Sequence, residues 1–210
     1  MNLVFLGPPG AGKGTLAFEV SKEYKIPHIS TGDIFRQAIK DKTELGLKVK
    51  SIIDSGALVS DDITTALVAE RLKANDCKNG FILDGFPRTI PQAESLEKIV
   101  KLDKAVNLDI LDEEVITRLS SRRTCLKCGK SFNVITMKPK KEGICDACGN
   151  DLVTREDDKP ESIKKRLEAY RAQTAPVINF YRDKNKIVDI DARPALEKVL
   201  DEFKKNFPCN

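Results

Sequence analysis

A glycine-rich segment, GPPGAGKGT at residues 7–15, directly follows the apolar run LVFL and constrains the fold more than any other feature of the chain. A strand, a loop with several glycines and then a helix is the arrangement in which backbone N–H groups and the positive end of a helix hold phosphates. Gly7, Gly12 and Lys13 stand in the register of the general motif G-x-x-x-x-G-K-[ST]. The segment therefore predicts a phosphate-binding loop and not an ordinary strand-to-helix turn.

This loop departs from the general motif at one position. Gly14 follows the lysine, and the hydroxyl comes one residue later, at Thr15. A phosphate-binding loop alone does not distinguish a switch GTPase, a motor and a small-molecule kinase. The guanine-reading motif N-K-x-D is approached only by NKIVD at 185–189, which has one residue too many and lies in a predicted strand. The switch hypothesis is therefore weak.

Short apolar runs alternate with longer stretches of helical periodicity. The runs that predict strands are residues 2–6, 26–30, 81–85, 105–111 and 186–191. The stretches that predict helices include residues 13–24, 61–75 and 91–101. Strands separated by helix-length segments require crossover connections, so we expect an α/β fold with a mainly parallel sheet covered on both faces. Catalytic residues should then lie beyond the carboxyl ends of these strands.

Two stretches interrupt this alternation. Residues 30–59 are charged and helical without a strand of their own, which predicts a small helical insertion. Residues 122–158 hold four of the six cysteines and a KPKK run, which predicts a separate lobe. A chain of 210 residues can bury one core and still carry such modules. The core would then consist of residues 1–29, 60–121 and 159–210.

Charge and hydropathy exclude several classes of protein. The net charge of +4 arises from interleaved basic and acidic residues and gives no nucleic-acid footprint. No apolar stretch approaches the roughly 20 residues that span a bilayer, and the N-terminus lacks the basic leader of a signal peptide. We therefore expect a cytoplasmic protein without a membrane or nucleic-acid partner, in a compartment that disfavours disulfides.

The cysteines predict a metal site. CLKCG at 125–129 and CDACG at 145–149 can each place two thiolates on one ion. Two such units at this separation form a tetrahedral structural site, with zinc the expected metal and iron the alternative. Two disulfides and four unpaired thiols are the disfavoured alternatives, as is a nucleic-acid-binding ribbon, because the lobe has a single aromatic residue for base stacking. The predicted ligands are Cys125, Cys128, Cys145 and Cys148, whereas Cys77 and Cys209 belong to no motif.

Three motifs in order resemble the adenylate kinase family of nucleoside monophosphate kinases: GPPGAGKGT, STGDIFR at 30–36 and DGFPRT at 84–89. The resemblance covers essentially the whole chain, and GKGT is that family's usual loop. It implies a P-loop three-layer sandwich with a central, mainly parallel five-stranded sheet. It also implies that 30–59 is an AMP-binding insertion and that 122–158 is the zinc-bearing lid of the long bacterial form.

The implied reaction is the reversible, Mg²⁺-dependent transfer of the terminal phosphoryl group of ATP to AMP, giving two ADP, by a monomeric enzyme. UMP or CMP as acceptor, and GTP as donor, remain alternatives. Such a transfer needs positioning and charge neutralisation but no general base, because the attacking phosphate oxygen is already anionic. The single histidine, His28, is accordingly interpreted as structural. The implied catalytic group is Lys13, Arg88, Arg122, Arg155, Arg166 and Asp84.

The resemblance also implies two nucleotide sites and a magnesium site. The ATP-binding set is Gly10, Ala11, Gly12, Lys13, Gly14, Thr15, Arg118, Arg122, Ser131, Phe132 and Pro194. The AMP-binding set is Thr31, Arg36, Ala57, Leu58, Val59, Gly85, Phe86, Pro87, Arg88, Gln92, Arg155 and Arg166. The amide of Gln92 can pair with a donor and an acceptor on one adenine edge. Asp84, together with Asp33, is expected to hold Mg²⁺ through water.

Overall fold

A five-stranded parallel sheet forms the centre of the computed structural model, which describes residues 1–208. Its strands are β1 (Asn2–Leu6), β2 (His28–Ser30), β3 (Phe81–Asp84), β4 (Lys104–Asp109) and β8 (Ile187–Asp191), in the order β2-β3-β1-β4-β8. All four pairings are parallel, which confirms the predicted fold class. β2 is shorter than the predicted run 26–30 because Pro27 has no N–H to donate to a neighbouring strand.

Helices cover both faces of this sheet. They are α1 (Lys13–Tyr24), α4 (Asp61–Leu72), α5 (Ile90–Ile99), α6 (Asp112–Ser120), α7 (Pro160–Ala169), α8 (Ala175–Asp183) and α9 (Leu196–Asn206). In β1, Leu3 and Phe5 point to the layer formed by α1, α6, α7 and α9, whereas Val4 and Leu6 point to the layer formed by α4, α5 and α8. Both faces of β1 are therefore buried, as the unbroken apolar run LVFL requires.

The helical insertion at 30–59 contains α2 (Thr31–Lys40) and α3 (Glu44–Asp54). The hydroxyl of Ser30 caps α2 by accepting from the N–H of Asp33, and Thr43 caps α3 in the same way. Phe35 and Val49 are buried here in a small apolar cluster separate from the main core. Among residues 1–208, none of the helices has the length and apolar character of a bilayer-spanning segment.

The stretch 122–158, predicted as a separate lobe and called the cysteine lobe below, contains a second sheet. Its strands are β5 (Arg122–Cys125), β6 (Ser131–Asn133) and β7 (Leu152–Val153), antiparallel in the order β6-β5-β7. Its apolar core is small and consists mainly of Cys125, Phe132 and Cys145. A lobe with so little core needs another source of stability, which four clustered thiols can supply by binding a metal.

Candidate active site: a phosphate-binding cleft

The glycine-rich loop connects the end of β1 to α1, at the carboxyl edge of the parallel sheet. Gly12 caps the helix with φ 94°, a left-handed conformation that glycine adopts without strain. α1 begins at Lys13, so the free N–H groups of its first turn border the loop. The ammonium of Lys13 donates to the carbonyl oxygens of Gly7 and Pro8, each at 2.8 Å. These contacts hold the lysine across the loop, where an anion can replace the two carbonyls.

Asp84 ends β3 beside this loop, and its side chain is buried. Its carboxylate Oδ2 lies 3.4 Å from Nε2 of His28 on the adjacent strand. Although burial opposes ionisation, this hydrogen bond and the charge of Lys13 hold the pKa of Asp84 below its ordinary value. A Cβ atom added to Gly14 would lie 3.2 Å from Asp84 Oδ2. A side chain at this position would crowd the carboxylate, whereas glycine leaves it room.

Six cationic side chains lie close enough to shift one another's pKa values, and we call them the cation cluster: Lys13, Arg36, Arg88, Arg122, Arg155 and Arg166. Burial, together with repulsion from Arg36 and Arg122, lowers the pKa of Arg155 to about 9. Burial also lowers the pKa of Lys13 to about 8, opposed by Asp84, with Arg88 and other arginines adding to the shift. The cluster is therefore held at an electrostatic cost that bound anions would relieve.

Two acidic residues that the sequence analysis did not select hold part of this cluster. The carboxylate of Asp158, fully buried, accepts from Nε and Nη2 of Arg122 at 2.8 and 2.5 Å. It also accepts from Nη1 of Arg166 at 2.9 Å, and Asp157 pairs with the same guanidinium at 3.0 Å. Because Arg122 belongs to the cysteine lobe and Arg166 to α7, these carboxylates fix two elements against each other. Acidic residues directly after Arg155 were the only signal in the sequence.

The four cysteine thiols of the lobe converge, with all Sγ atoms within 4.8 Å of one another. Sγ of Cys125 lies 3.4 Å from that of Cys148, and Sγ of Cys128 lies 3.5 Å from that of Cys145. A disulfide would need about 2.05 Å, so neither pair is bonded. Four thiolates about 2.3 Å from one zinc ion would lie about 3.8 Å apart, close to the spacing found here. The donor set thus fits a tetrahedral metal site. Cys77 is buried apart from this cluster, and Cys209 lies outside the described residues.

Comparison with known proteins identifies the family. The family model for adenylate kinase matches residues 5–186. An adenylate kinase of Treponema denticola is 69% identical over 99% of this chain and 100% of its own length. The adenylate kinase of Fervidobacterium nodosum is 53% identical over 95% of this chain and 94% of its own length. The chain belongs to the adenylate kinase family. It is therefore a nucleoside monophosphate kinase, a phosphotransferase that binds adenine nucleotides.

Several of the residues predicted to bind AMP meet at the turn after β3. Thr31 donates its hydroxyl to the carbonyl of Gly85 at 3.0 Å, and Nε of Arg88 donates to the same carbonyl at 2.7 Å. The side chain of Phe86 is buried in the core, and a cis peptide bond joins it to Pro87. Of these residues, Arg88 therefore keeps side-chain donors for a ligand, whereas Thr31 and Phe86 are buried.

The other predicted AMP-side residues lie at the edges of this turn. Residues 57–59 connect α3 to α4, with Ala57 exposed and Val59 buried in the cluster of the helical insertion. Nη2 of Arg36 donates to Oδ1 of Asp33 at 2.6 Å. Asp33 was predicted to hold magnesium, but one of its carboxylate oxygens is hydrogen-bonded to an arginine of the cation cluster.

The residues that were predicted to bind ATP outside the glycine-rich loop lie in two places. Nη2 of Arg118 donates to the carbonyls of Ala192 and Arg193, at 2.8 and 3.1 Å, which brings it beside Pro194. Ser131 and Phe132 lie on β6, and the ring of Phe132 is 3% exposed within the core of the cysteine lobe. Contact between Phe132 and ATP would therefore be through its main chain.

Proposed function

We propose that this chain catalyses the reversible transfer of the terminal phosphoryl group of Mg²⁺-bound ATP to AMP, giving two ADP, and thereby balances the adenine nucleotides of the cell. The observation that carries this proposal is the cation cluster at the carboxyl edge of the sheet. Its guanidinium groups come from the core, from the helical insertion and from the cysteine lobe. They converge with the phosphate loop, whereas a solvated surface would spread them apart.

The roles follow from position. The loop from Gly10 to Thr15 and the ammonium of Lys13 would hold the outer phosphates of ATP. Arg36 and Arg88 would hold the phosphate of AMP, because Arg88 contacts the carbonyl of Gly85 and the charge of Arg36 acts on Arg88. Nucleotide contacts of Arg118 and Pro194 on the ATP side, and of residues 57–59 on the AMP side, belong to the same proposal.

The phosphoryl group that is transferred would be surrounded by Arg122, Arg155 and Arg166. Each guanidinium is planar, stays charged at neutral pH and can make paired contacts with phosphate oxygens. Fixed cations at the place where negative charge is shared between two nucleotides lower the barrier without a proton transfer. The attacking oxygen of AMP is already ionised and needs no general base. This agrees with the structure, in which the single histidine, His28, contacts Asp84.

Asp84 is the residue that fits magnesium. It is buried, its pKa is lowered, and it borders the loop at Gly14. Mg²⁺ keeps much of its water and, when bound, neutralises phosphate charge. Asp84 would hold that water shell, and Asp33 would contribute the oxygen that Arg36 does not engage. Zinc in the four-cysteine site is a structural proposal, since all four positions would be filled by protein thiolates.

We propose that residues 30–59 and 122–158 act as two flaps on a core of residues 1–29, 60–121 and 159–210. Transfer to AMP must exceed transfer to water, so the reacting phosphates need to be enclosed. Nζ of Lys40 in α2 donates to the carbonyl of Leu126 in the cysteine lobe at 3.4 Å. This contact supports a closed arrangement in which the two flaps meet. We further propose a cytoplasmic monomer without nucleic-acid or membrane partners.

The test is to incubate the purified chain with Mg-ATP and, separately, AMP, UMP or CMP, and to separate the products. GTP with AMP tests the donor. We expect ADP to form rapidly from ATP and AMP alone. Comparable turnover of UMP or CMP, or a preference for GTP, would refute the adenine assignment. Metal analysis of the same sample tests for one zinc ion per chain against iron.

A further inference from the structure

Asp61 connects three parts of the AMP side in one hydrogen-bond ring. It is the first residue of α4, and its Oδ1 accepts from Nε2 of Gln92 at 2.7 Å. Its Oδ2 accepts from the hydroxyl of Thr89 at 3.0 Å. The oxygen of Thr89 in turn accepts from the backbone N–H of Gln92, as the cap of α5. The ring closes because Oε1 of Gln92 accepts from the backbone N–H of Arg88 at 2.7 Å.

This ring fixes which way the Gln92 amide points. An ionised carboxylate can only accept hydrogen bonds, so the NH₂ group must face Asp61. A backbone N–H can only donate, so the carbonyl oxygen must face Arg88. Rotating the amide by half a turn would place its oxygen against the carboxylate of Asp61, so that two acceptors face each other. It would also place its NH₂ group against the backbone N–H of Arg88, so that two donors face each other. Gln92 is 2% exposed, so water cannot readily replace the lost partners.

We infer that Asp61 is a positioning residue for base selection at the AMP site, and this inference rests on the proposed function. With the amide fixed, Gln92 retains one N–H and one oxygen lone pair, which a base can reach once the side chains that cover this 2%-exposed residue move apart. Adenine presents an acceptor at N1 and a donor at its 6-amino group, which match this pair. Hypoxanthine presents the reverse, a donor at N1 and an acceptor at O6. An amide that cannot rotate therefore accepts AMP and rejects inosine monophosphate.

The first experiment compares Asp61→Asn with the matched control Asp62→Asn. Both residues lie in the first turn of α4, so both variants lose the same charge near the same helix end, but Asp62 is exposed. Asparagine at 61 can present either an oxygen or an NH₂ group to Gln92, which releases the amide. We expect the ratio of kcat/KM for AMP over inosine monophosphate to fall about tenfold, which corresponds to about 1.4 kcal/mol. KM for AMP should rise while kcat at saturation changes less than about threefold. Asp62→Asn should retain the wild-type ratio.

A double-mutant cycle separates positioning from a general structural role. Gln92→Leu alone should remove most of the selectivity between the two monophosphates. Asp61→Asn in that background should then change the ratio no further, because its effect passes through the amide. An equal loss in both backgrounds, or an unchanged ratio in Asp61→Asn, would overturn the inference. If the wild-type chain fails to phosphorylate AMP, the proposed function itself is wrong, which is a different outcome.

A measurement on the wild-type chain does not depend on any variant folding. Selective NMR assignment of the Gln92 side-chain NH₂ should give two resolved protons, at least one protected from exchange by Asp61. Two protons that exchange as fast as those of an exposed glutamine would contradict the ring and overturn the inference.

Discussion

Replacing Arg88 with alanine should separate catalysis from stability. Its Nε donates to the carbonyl of Gly85, which leaves the two Nη groups for phosphates. Each charge-assisted hydrogen bond contributes about 1.5–3 kcal/mol, so losing two should remove about 3–6 kcal/mol of transition-state stabilisation. At about 1.36 kcal/mol per factor of ten, kcat/KM for AMP should fall by roughly 10²–10⁴.

The same variant should cost the fold little. Among residues 1–208 no carboxylate forms an ion pair with Arg88. Burial lowers its pKa, opposed by the charge of Asp84, and the charge of Arg36 adds to the shift. The Gly85 carbonyl still accepts from Thr31 after the change. Loss of one hydrogen bond, about 1 kcal/mol, is thus offset by removal of a partly buried cation whose desolvation lowers its pKa. We expect the free energy of unfolding to stay within about 1 kcal/mol of wild type, or to rise.

The assay combines steady-state ADP formation at varied AMP with urea unfolding followed by circular dichroism. Arg182→Ala is the matched control, because Arg182 is exposed and pairs with Asp189 on the surface of the core. This control should retain wild-type turnover. The reasoning would be refuted by Arg88→Ala with kcat/KM within about tenfold of wild type, or by a loss of stability above about 2 kcal/mol.

Three other perturbations test separate parts of the site. Asp158→Asn should lower the free energy of unfolding by about 3 kcal/mol, because two guanidiniums (Arg122 and Arg166) lose a fully buried partner. A change below about 1 kcal/mol in urea unfolding would contradict this. Treatment with a chelator, which would remove a metal from the four-cysteine site, or Cys128→Ser, should lower the unfolding temperature and the activity, checked by calorimetry and the ADP assay. Unchanged values would argue against a structural metal. Phosphate binding should restore the pKa of Lys13 from about 8 toward its ordinary value, so ATP should bind with proton uptake near pH 9 and more weakly as pH rises. Calorimetry in buffers of different ionisation enthalpy measures the uptake, and none at pH 9 would refute it.

Local patterns were enough to predict the sheet and the loop. The five strands follow from apolar runs, of which β1 and β3 are buried almost throughout. Lys13 follows from the glycine-rich motif, and Asp84 from its place at the end of a strand. The start of β2 was misplaced only because a proline stands inside its apolar run. Phe132 was expected near ATP, but the cysteine lobe has so little apolar material that its ring belongs to the lobe's own core.

The residues that the sequence analysis did not identify are those whose role depends on partners distant in the chain. Asp157 and Asp158 lie in an acidic stretch that resembles a solvated surface, and only folding brings Asp158 to Arg122, 36 residues away. Asp61 meets Gln92 across 31 residues for the same reason. The contact between His28 and Asp84 depends on strand order, which no local pattern encodes. Sequence therefore identifies groups that bind phosphate, whereas the carboxylates that orient them require the structure.

If the cation cluster binds two nucleotides end to end beneath the cysteine lobe, a crystal structure with AMP and a non-transferable Mg-ATP analogue should show it. We expect both nucleotides in one site with their phosphates facing each other. Their phosphate oxygens should contact Lys13, Arg88, Arg122 and Arg155. A single nucleotide, or phosphates bound away from these four side chains, would contradict it.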